Sequence, residues 1–192
     1  MNPGLYFLAD AARMRGEIHH AKELNPEHTC LYEGDSERFL SAVAPWLFAL
    51  EKGGAFARWL STHGHAQSWG VIVHFADDPV QLYKHLRRHL IVQSEDGTDM
   101  YFRYYDPRVL RSYIPSCKSG ALHDLFGPIR SFAAEDAEGK LMEFSLDDAG
   151  SLVVAPTDRT LGEYLGVEEP MEALPTGPQQ NERQEGSWDF GY

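Results

Sequence analysis

Nine histidines offer the first candidate chemistry. His85 and His89 stand at i, i+4, the spacing that places two imidazoles on one helical face as in a zinc site. A zinc-hydrolase helix also carries a glutamate directly after its first histidine as general base, and here Leu86 fills that place. On a helical wheel both histidines flank the apolar stripe through Leu86, which marks them as boundary residues; a metal-dependent hydrolase using His85, His89 and a distant carboxylate is the alternative. His63 with His65 and the adjacent His19 and His20 are weaker pairs, without a neighbouring cysteine or carboxylate ligand. Cys30 and Cys117 form neither a disulfide framework nor a zinc pattern. Lys118 next to Cys117 would favour a thiolate, although a lone cysteine in a serine-rich loop reads as a surface thiol. No Gly-x-Ser-x-Gly elbow, phosphate-binding Gly-rich loop or Gly-x-Gly-x-x-Gly turn occurs. The residues thus give no specific argument for catalysis and imply no cofactor.

The most organised stretch is Tyr101 to Leu110. Tyr101, Arg103 and Tyr105 alternate with Phe102 and Tyr104, which predicts an aromatic strand. Pro107 then forces a corner, with Asp106 as N-cap and Pro107 at the first helical position. Arg108 falls in the first turn, where the helix dipole disfavours a cation unless an anion compensates, and Asp106 is the expected anion. The local chemistry is that of an Arg-Asp corner orienting a strand against a helix.

The elements around this corner predict an α/β fold, a mixed β-sheet flanked by helices. Leu5 to Ala9 reads as a strand, and Leu31-Tyr32 as a second, with a polar segment containing His19 and His20 between them. Ser36 to Val43 predicts a short helix capped by Ser36, with Phe39, Leu40 and Val43 on one face. Trp46 to Glu51 reads as a strand, Ala55 to Leu60 as a helix, and Gly70 to Phe75 as a buried strand at the sheet centre. Asp78-Pro79 starts a helix with the stripe Leu82, Tyr83, Leu86 and Leu90, and Gln81 completes a capping-box-like pair. A helix to about Ile114 and another over Ala121 to Phe126 follow the corner. Ile129 to Ala134 and Lys140 to Leu146 form a closing β-hairpin, before a strand at Ser151 to Ala155 and a brief helix at Thr160 to Leu165. The expected division is an α/β domain over 1–130, a hairpin extension over 131–166 and a flexible acidic C-terminal tail over 167–192.

At 192 residues the chain is long enough for a core without staples. Its net charge of -12 is unevenly placed. Met1 to Ala134 carries 15 acidic and 14 basic residues, net -1, whereas Glu135 to Tyr192 carries 14 acidic and 3 basic, net -11. No basic field suits nucleic acid or an anionic membrane. The start of the chain has no basic leader, its apolar run ends at Asp10, and no segment approaches the roughly 20 apolar residues of a membrane span, so the expected compartment is the cytoplasm. Trp188, Phe190 and Tyr192 alternate near the end, so an extended tail would present three aromatics on one side, as a docking peptide does.

The chain resembles the type VI secretion effector chaperones, or adaptor proteins, of the Tap/TEC kind. The resemblance is carried by motifs in order: Tyr6-Phe7-Leu8-Ala9-Asp10-Ala11-Ala12, Leu31-Tyr32 with Gly34, and Ala44-Pro45-Trp46-Leu47. Trp69-Gly70-Val71, His85-Leu86-Arg87, the hallmark Arg103-Tyr104-Tyr105-Asp106-Pro107-Arg108-Val109-Leu110 and Phe126-Gly127-Pro128-Ile129 complete it. Ala11 stands where that family commonly has glycine. The resemblance implies a non-enzymatic cytoplasmic adaptor of a Gram-negative bacterium that binds a toxic effector and helps load it onto the VgrG spike. It carries over Arg103, Tyr104, Asp106, Pro107 and Arg108 as motif residues, either contacting the effector or holding the corner. A general protein-interaction module is the remaining alternative.

Overall fold

The computed structural model describes residues 4–93 and 96–167. The apolar run at the start forms β1 (Leu5–Asp10), every residue of which is buried. Asp10 accepts a hydrogen bond from the Arg13 amide and so caps α1 (Ala11–Met14), which leads into α2 (Glu17–Leu24). There follow β2 (His28–Cys30), α3 (Asp35–Leu40), β3 (Pro45–Ala49), α4 (Ala55–His63), β4 (Gly70–His74), α5 (Pro79–Arg88), β5 (Ile91–Gln93) and β6 (Asp99–Tyr101). Next come α6 (Pro107–Tyr113) with a 3-10 turn at Ile114–Ser116, α7 (Ser119–Phe126), β7 (Ser131–Glu135), β8 (Leu141–Leu146), β9 (Leu152–Pro156) and α8 (Leu161–Tyr164).

Seven strands make one sheet in the order β2-β3-β1-β4-β7-β8-β9, which puts β4 at the centre as its β-branched run predicts. β1 pairs with β3 through Phe7 and Phe48, and with β4 through Phe7 and Ile72. β7 joins β4, so the closing hairpin continues the same sheet. Alternation along β1 feeds two cores. Leu5, Phe7 and Ala9 face α1, α2, α4 and α8, with Phe48, Phe56 and Trp59 in that layer. Tyr6 and Leu8 face α5, α6 and α7, where Leu86, Tyr104, Leu110, Phe126 and Phe132 lie. Both faces are therefore covered, which explains why β1 and β4 are apolar without alternation.

The helix-flanked sheet, its hairpin and the Asp78 and Asp106 N-caps with Pro79 and Pro107 at the first helical position agree with the sequence expectation; the pair with Gln81 does not form, because the Asp78 carboxylate takes the Val80 amide instead. The sheet departs in that its pairings are antiparallel throughout, not mixed, because each neighbour enters from the opposite end. The aromatic strand predicted over Tyr101 to Tyr105 ends at Tyr101, in the two-stranded β5-β6 ribbon. Phe102 still donates to the Leu90 carbonyl at 2.8 Å, but the Asp106 amide bonds back to Arg103 at 3.0 Å and turns the chain. The turned chain buries the Tyr104 ring, and its hydroxyl donates to the Leu86 carbonyl at 2.7 Å. The second strand lies at His28–Cys30 instead of Leu31-Tyr32, since Leu31 is the buried residue that turns into the core. The polar segment with His19 and His20 is helical: Met14, Ile18 and Ala21 bury one face while the histidines stay outside. α3 starts after Gly34, without a cap from Ser36.

Candidate functional site

The Arg-Asp corner assembles where the end of β1 meets the start of α6. The Asp106 carboxylate is buried and accepts the Arg108 amide at 3.0 Å, capping α6. It also receives Arg108 Nε at 3.0 Å and Nη2 at 2.6 Å, a bidentate pair. Burial pushes the Asp106 carboxyl upward, but the Arg108 hydrogen bonds outweigh it and hold the group below its ordinary range. A second pair lies beside it: Arg103 Nη2 is 2.5 Å from Asp10 Oδ2. Here burial dominates and raises the Asp10 carboxyl despite the arginine. Arg13, on α1, donates through Nε to the Ser68 carbonyl at 3.2 Å and through Nη2 to the Gln67 carbonyl at 3.0 Å.

The expected motif residues divide by accessibility. Tyr104, Asp106 and Pro107 are buried, whereas the side chains of Arg103 and Arg108 are 43% and 53% exposed. Any surface role of the motif falls to the two arginines, with Tyr104, Asp106 and Pro107 holding them in place. The partner missed from sequence is Asp10; its signal, a carboxylate closing an apolar strand, does not say which cation it meets. Trp188, Phe190 and Tyr192 lie outside the described residues.

The histidines at i, i+4 are engaged with the backbone. His85 Nε2 donates to the Leu125 carbonyl at 2.8 Å, and His89 Nδ1 to the His85 carbonyl at 2.9 Å. Burial lowers the His85 pKa, with His89 and Arg88 adding to the effect. Among the described residues no group of three or more His, Cys, Asp or Glu side chains is placed to hold a metal ion. Burial raises the Cys117 thiol, which Lys118 therefore does not activate, and the side chain is half-buried instead of a surface thiol.

The second feature is an apolar surface on the α3, α5 and β5-β6 side. A groove of about 520 Å³ is lined by Leu31, Tyr32, Tyr83, Leu90, Ile91 and Tyr101, with Lys84, Arg87 and Arg88 at its rim. Glu33 is the rim's carboxylate: it ion-pairs with Arg87 and accepts the Tyr83 hydroxyl at 2.7 Å. Ser36 also lines the groove, and Phe39 and Leu40 follow it at i+3 and i+4, so that face of α3 continues the surface; the helix expected to run to Val43 ends at Leu40, and Val43 lies in the turn beyond it. α3 buries none of its residues, and Phe39 is 71% exposed. Sequence reasoning placed Phe39, Leu40 and Val43 on one helical face; the structure keeps Phe39 and Leu40 on α3, puts Val43 in the following turn, and leaves all three exposed. Tyr32 links groove and corner, because its ring meets Tyr101 at 6.0 Å and its hydroxyl and that of Tyr105 are near enough to shift each other's pKa.

Fold and site define an antiparallel-sheet α/β domain keyed by paired Asp-Arg contacts, with an adjoining apolar surface. The chain belongs to the family described as Domain of unknown function (DUF4123), which matches residues 5–124. The matched span holds the corner and the groove and ends within α7, ahead of β7–β9. No curated protein and no solved structure matches the chain. No helix among the described residues is long and apolar enough to cross a membrane.

Proposed function

We propose that this protein is a non-enzymatic cytoplasmic adaptor that binds a type VI secretion effector and helps deliver it to the VgrG spike. The observation that carries the reading is α3, a helix whose apolar face is uncovered beside an apolar groove. Membership of the DUF4123 family and the ordered motifs support the same reading. An effector segment with apolar anchors would bury Phe39, Leu40, Ile91 and Tyr101, and acidic residues flanking those anchors would meet Lys84, Arg87 and Arg88. Covering such a segment before secretion keeps it from aggregating, and release to the spike requires only that the spike complex bind it more tightly.

The test is co-expression with the products of neighbouring genes, followed by native mass spectrometry. A complex with a large toxin-like protein is expected, with or without VgrG. Phe39→Asp combined with Leu40→Asp should weaken it by at least about tenfold, since a charge replaces an interface anchor. The unfolding free energy should fall by no more than about 1 kcal/mol, because Phe39 is 71% and Leu40 39% exposed and the fold buries neither. A chain that emerges alone, or a complex indifferent to the double substitution, overturns the reading.

A further inference from the structure

The two edges of the large sheet differ. β2 is three residues long, reads His-Thr-Cys and ends at the buried Cys30. β9 is the other edge, five residues reading Leu-Val-Val-Ala-Pro, with no charge in the strand. Val153 and Val154 are each 41% exposed, and Ala155 and Pro156 are exposed as well. Alternation puts Leu152 and Val154 on the face that carries α5, α6 and α7, and Val153 and Ala155 on the opposite face, so apolar side chains reach water on both. Sheets ordinarily blunt such an edge with charged side chains or a covering element, because its free backbone groups template another strand. Among the described residues β9 pairs with β8 alone.

The register fixes which backbone groups of β9 are turned outward. The Asp147 amide donates to the Ser151 carbonyl at 2.9 Å, and the Thr157 amide to the Leu141 carbonyl at 2.9 Å. These bonds bracket a ladder in which Ser145 opposes Val153 and Glu143 opposes Ala155. In an antiparallel pair every second residue bonds to the neighbour, so Val153 and Ala155 bond to β8 while Leu152 and Val154 turn amide and carbonyl away from it. Pro156 turns its carbonyl the same way, and the amide it lacks is on the outward side, where an edge strand tolerates proline.

The surroundings select the charge of what pairs there. Residues 135–167 carry eight acidic residues against Lys140 and Arg159, net -6, whereas the body before them is close to neutral. Asp147 and Asp148 are exposed at the start of β9, and Asp158 and Glu138 are exposed by its other end, where Thr157 meets Leu141. We propose that β9 accepts an extended segment of a partner protein as an added strand, a segment apolar at alternate positions and flanked by lysine or arginine. Main-chain bonds to Leu152, Val154 and Pro156 hold it, Val153 and Val154 meet its apolar side chains, and the carboxylates at the two ends select its flanks. A second copy of this chain is disfavoured, because pairing β9 with β9 brings two regions of net -6 together. β9 lies outside both the family match and the α3 groove, so the inference stands apart from the effector reading.

Amide hydrogen exchange of the full chain, read by NMR, tests it. The probe is the synthetic peptide Lys-Lys-Val-Thr-Val-Thr-Val-Lys-Lys. One control has glutamate for every lysine; the other keeps the lysines and has proline for the Thr-Val-Thr centre, so its charge is the same but it cannot pair. With the lysine peptide the Leu152 and Val154 amides should slow about tenfold once roughly 90% of the protein is bound, since only free protein exchanges them. The Val153 and Ala155 amides, already bonded to β8, should change little. Neither control should protect. Asp148→Lys with Asp158→Lys, both at exposed positions, should turn the preference from the lysine to the glutamate peptide. Val154→Pro removes an outward amide and no bond to β8, so it should weaken the lysine peptide at least about tenfold; the charge-reversed variant decides if that chain does not fold. Unchanged exchange at Leu152 and Val154 with the lysine peptide overturns the proposal. So does equal protection by the proline control, or a charge-reversed variant that still prefers lysine. Protection that rises with protein concentration in the absence of peptide makes a second copy the occupant and overturns it too.

Discussion

Replacing Asp106 separates the two jobs its carboxylate performs. Asp106→Ala removes the cap on the Arg108 amide, which costs about 1 kcal/mol. It also removes the bidentate pair with Arg108, whose side chain is 53% exposed, so solvent screening limits that share to about 0.5–1 kcal/mol. The sum is about 2 kcal/mol, or a fall of about 4–8 °C in Tm for a domain of this size. Asp106→Asn keeps a capping oxygen and should lose only the pair, roughly half the effect. Urea denaturation checks both: the midpoints should order wild type, Asn, Ala with a common m value. The wild-type advantage also has a pH signature. Because the folded Asp106 carboxyl is held below its ordinary value of 3.8, its contribution is complete above that pH and is lost as pH falls through the folded pKa. Equal midpoints for Ala and Asn, or no shift in either, would refute the cap-and-pair account. Unchanged midpoints with loss of effector binding would make the corner a contact surface instead.

The remaining predictions concern the support of the corner. Gly127 has φ +48°, and a Cβ there would lie 2.4 Å from His85 Cε1, so Gly127→Ala should cost about 3 kcal/mol from backbone strain and overpacking; a urea midpoint within error of wild type would show that the α7 terminus yields freely. Burial lowers His85 and His74 in the folded state, so the unfolded chain takes up protons first and stability falls as pH drops below about 6.5. His85→Gln keeps a donor for the Leu125 carbonyl but does not titrate; its stability should fall less steeply between about pH 6.5 and 5, by up to about 1.4 kcal/mol per pH unit, and an unchanged slope would refute the assignment.

Several features are properties of short windows and were therefore legible in the sequence. Asp78-Pro79 and Asp106-Pro107 start helices because cap, proline and first turn lie within a few residues of one another. The β-branched run Gly70–His74 marks a strand buried on both faces, and the apolar segments around Glu135 to Lys140 mark a hairpin, for the same local reason. Thr160 and Glu163 complete a capping box that starts α8.

Tertiary structure decided what these windows meet. Asp10 and Arg103 are 93 positions apart, and nothing local to either names the other. Tyr101 to Tyr105 has strand periodicity, yet the Asp106 amide bonds back to the Arg103 carbonyl and the chain turns, with the Tyr104 ring buried and its hydroxyl donating to the Leu86 carbonyl. Periodicity also put Phe39, Leu40 and Val43 on one face of a helix without saying whether anything covers that face. The i, i+4 spacing of His85 and His89 is the same for a metal site as for two rings satisfied by carbonyls; only the position of Leu125 settles which partner His85 takes. The sequence by itself determined where elements begin, end and alternate, because those depend on neighbouring dihedrals and caps. The antiparallel strand order, the Asp-Arg pairing and the uncovered α3 face came only with the tertiary structure, because they depend on which surfaces the chain brings together.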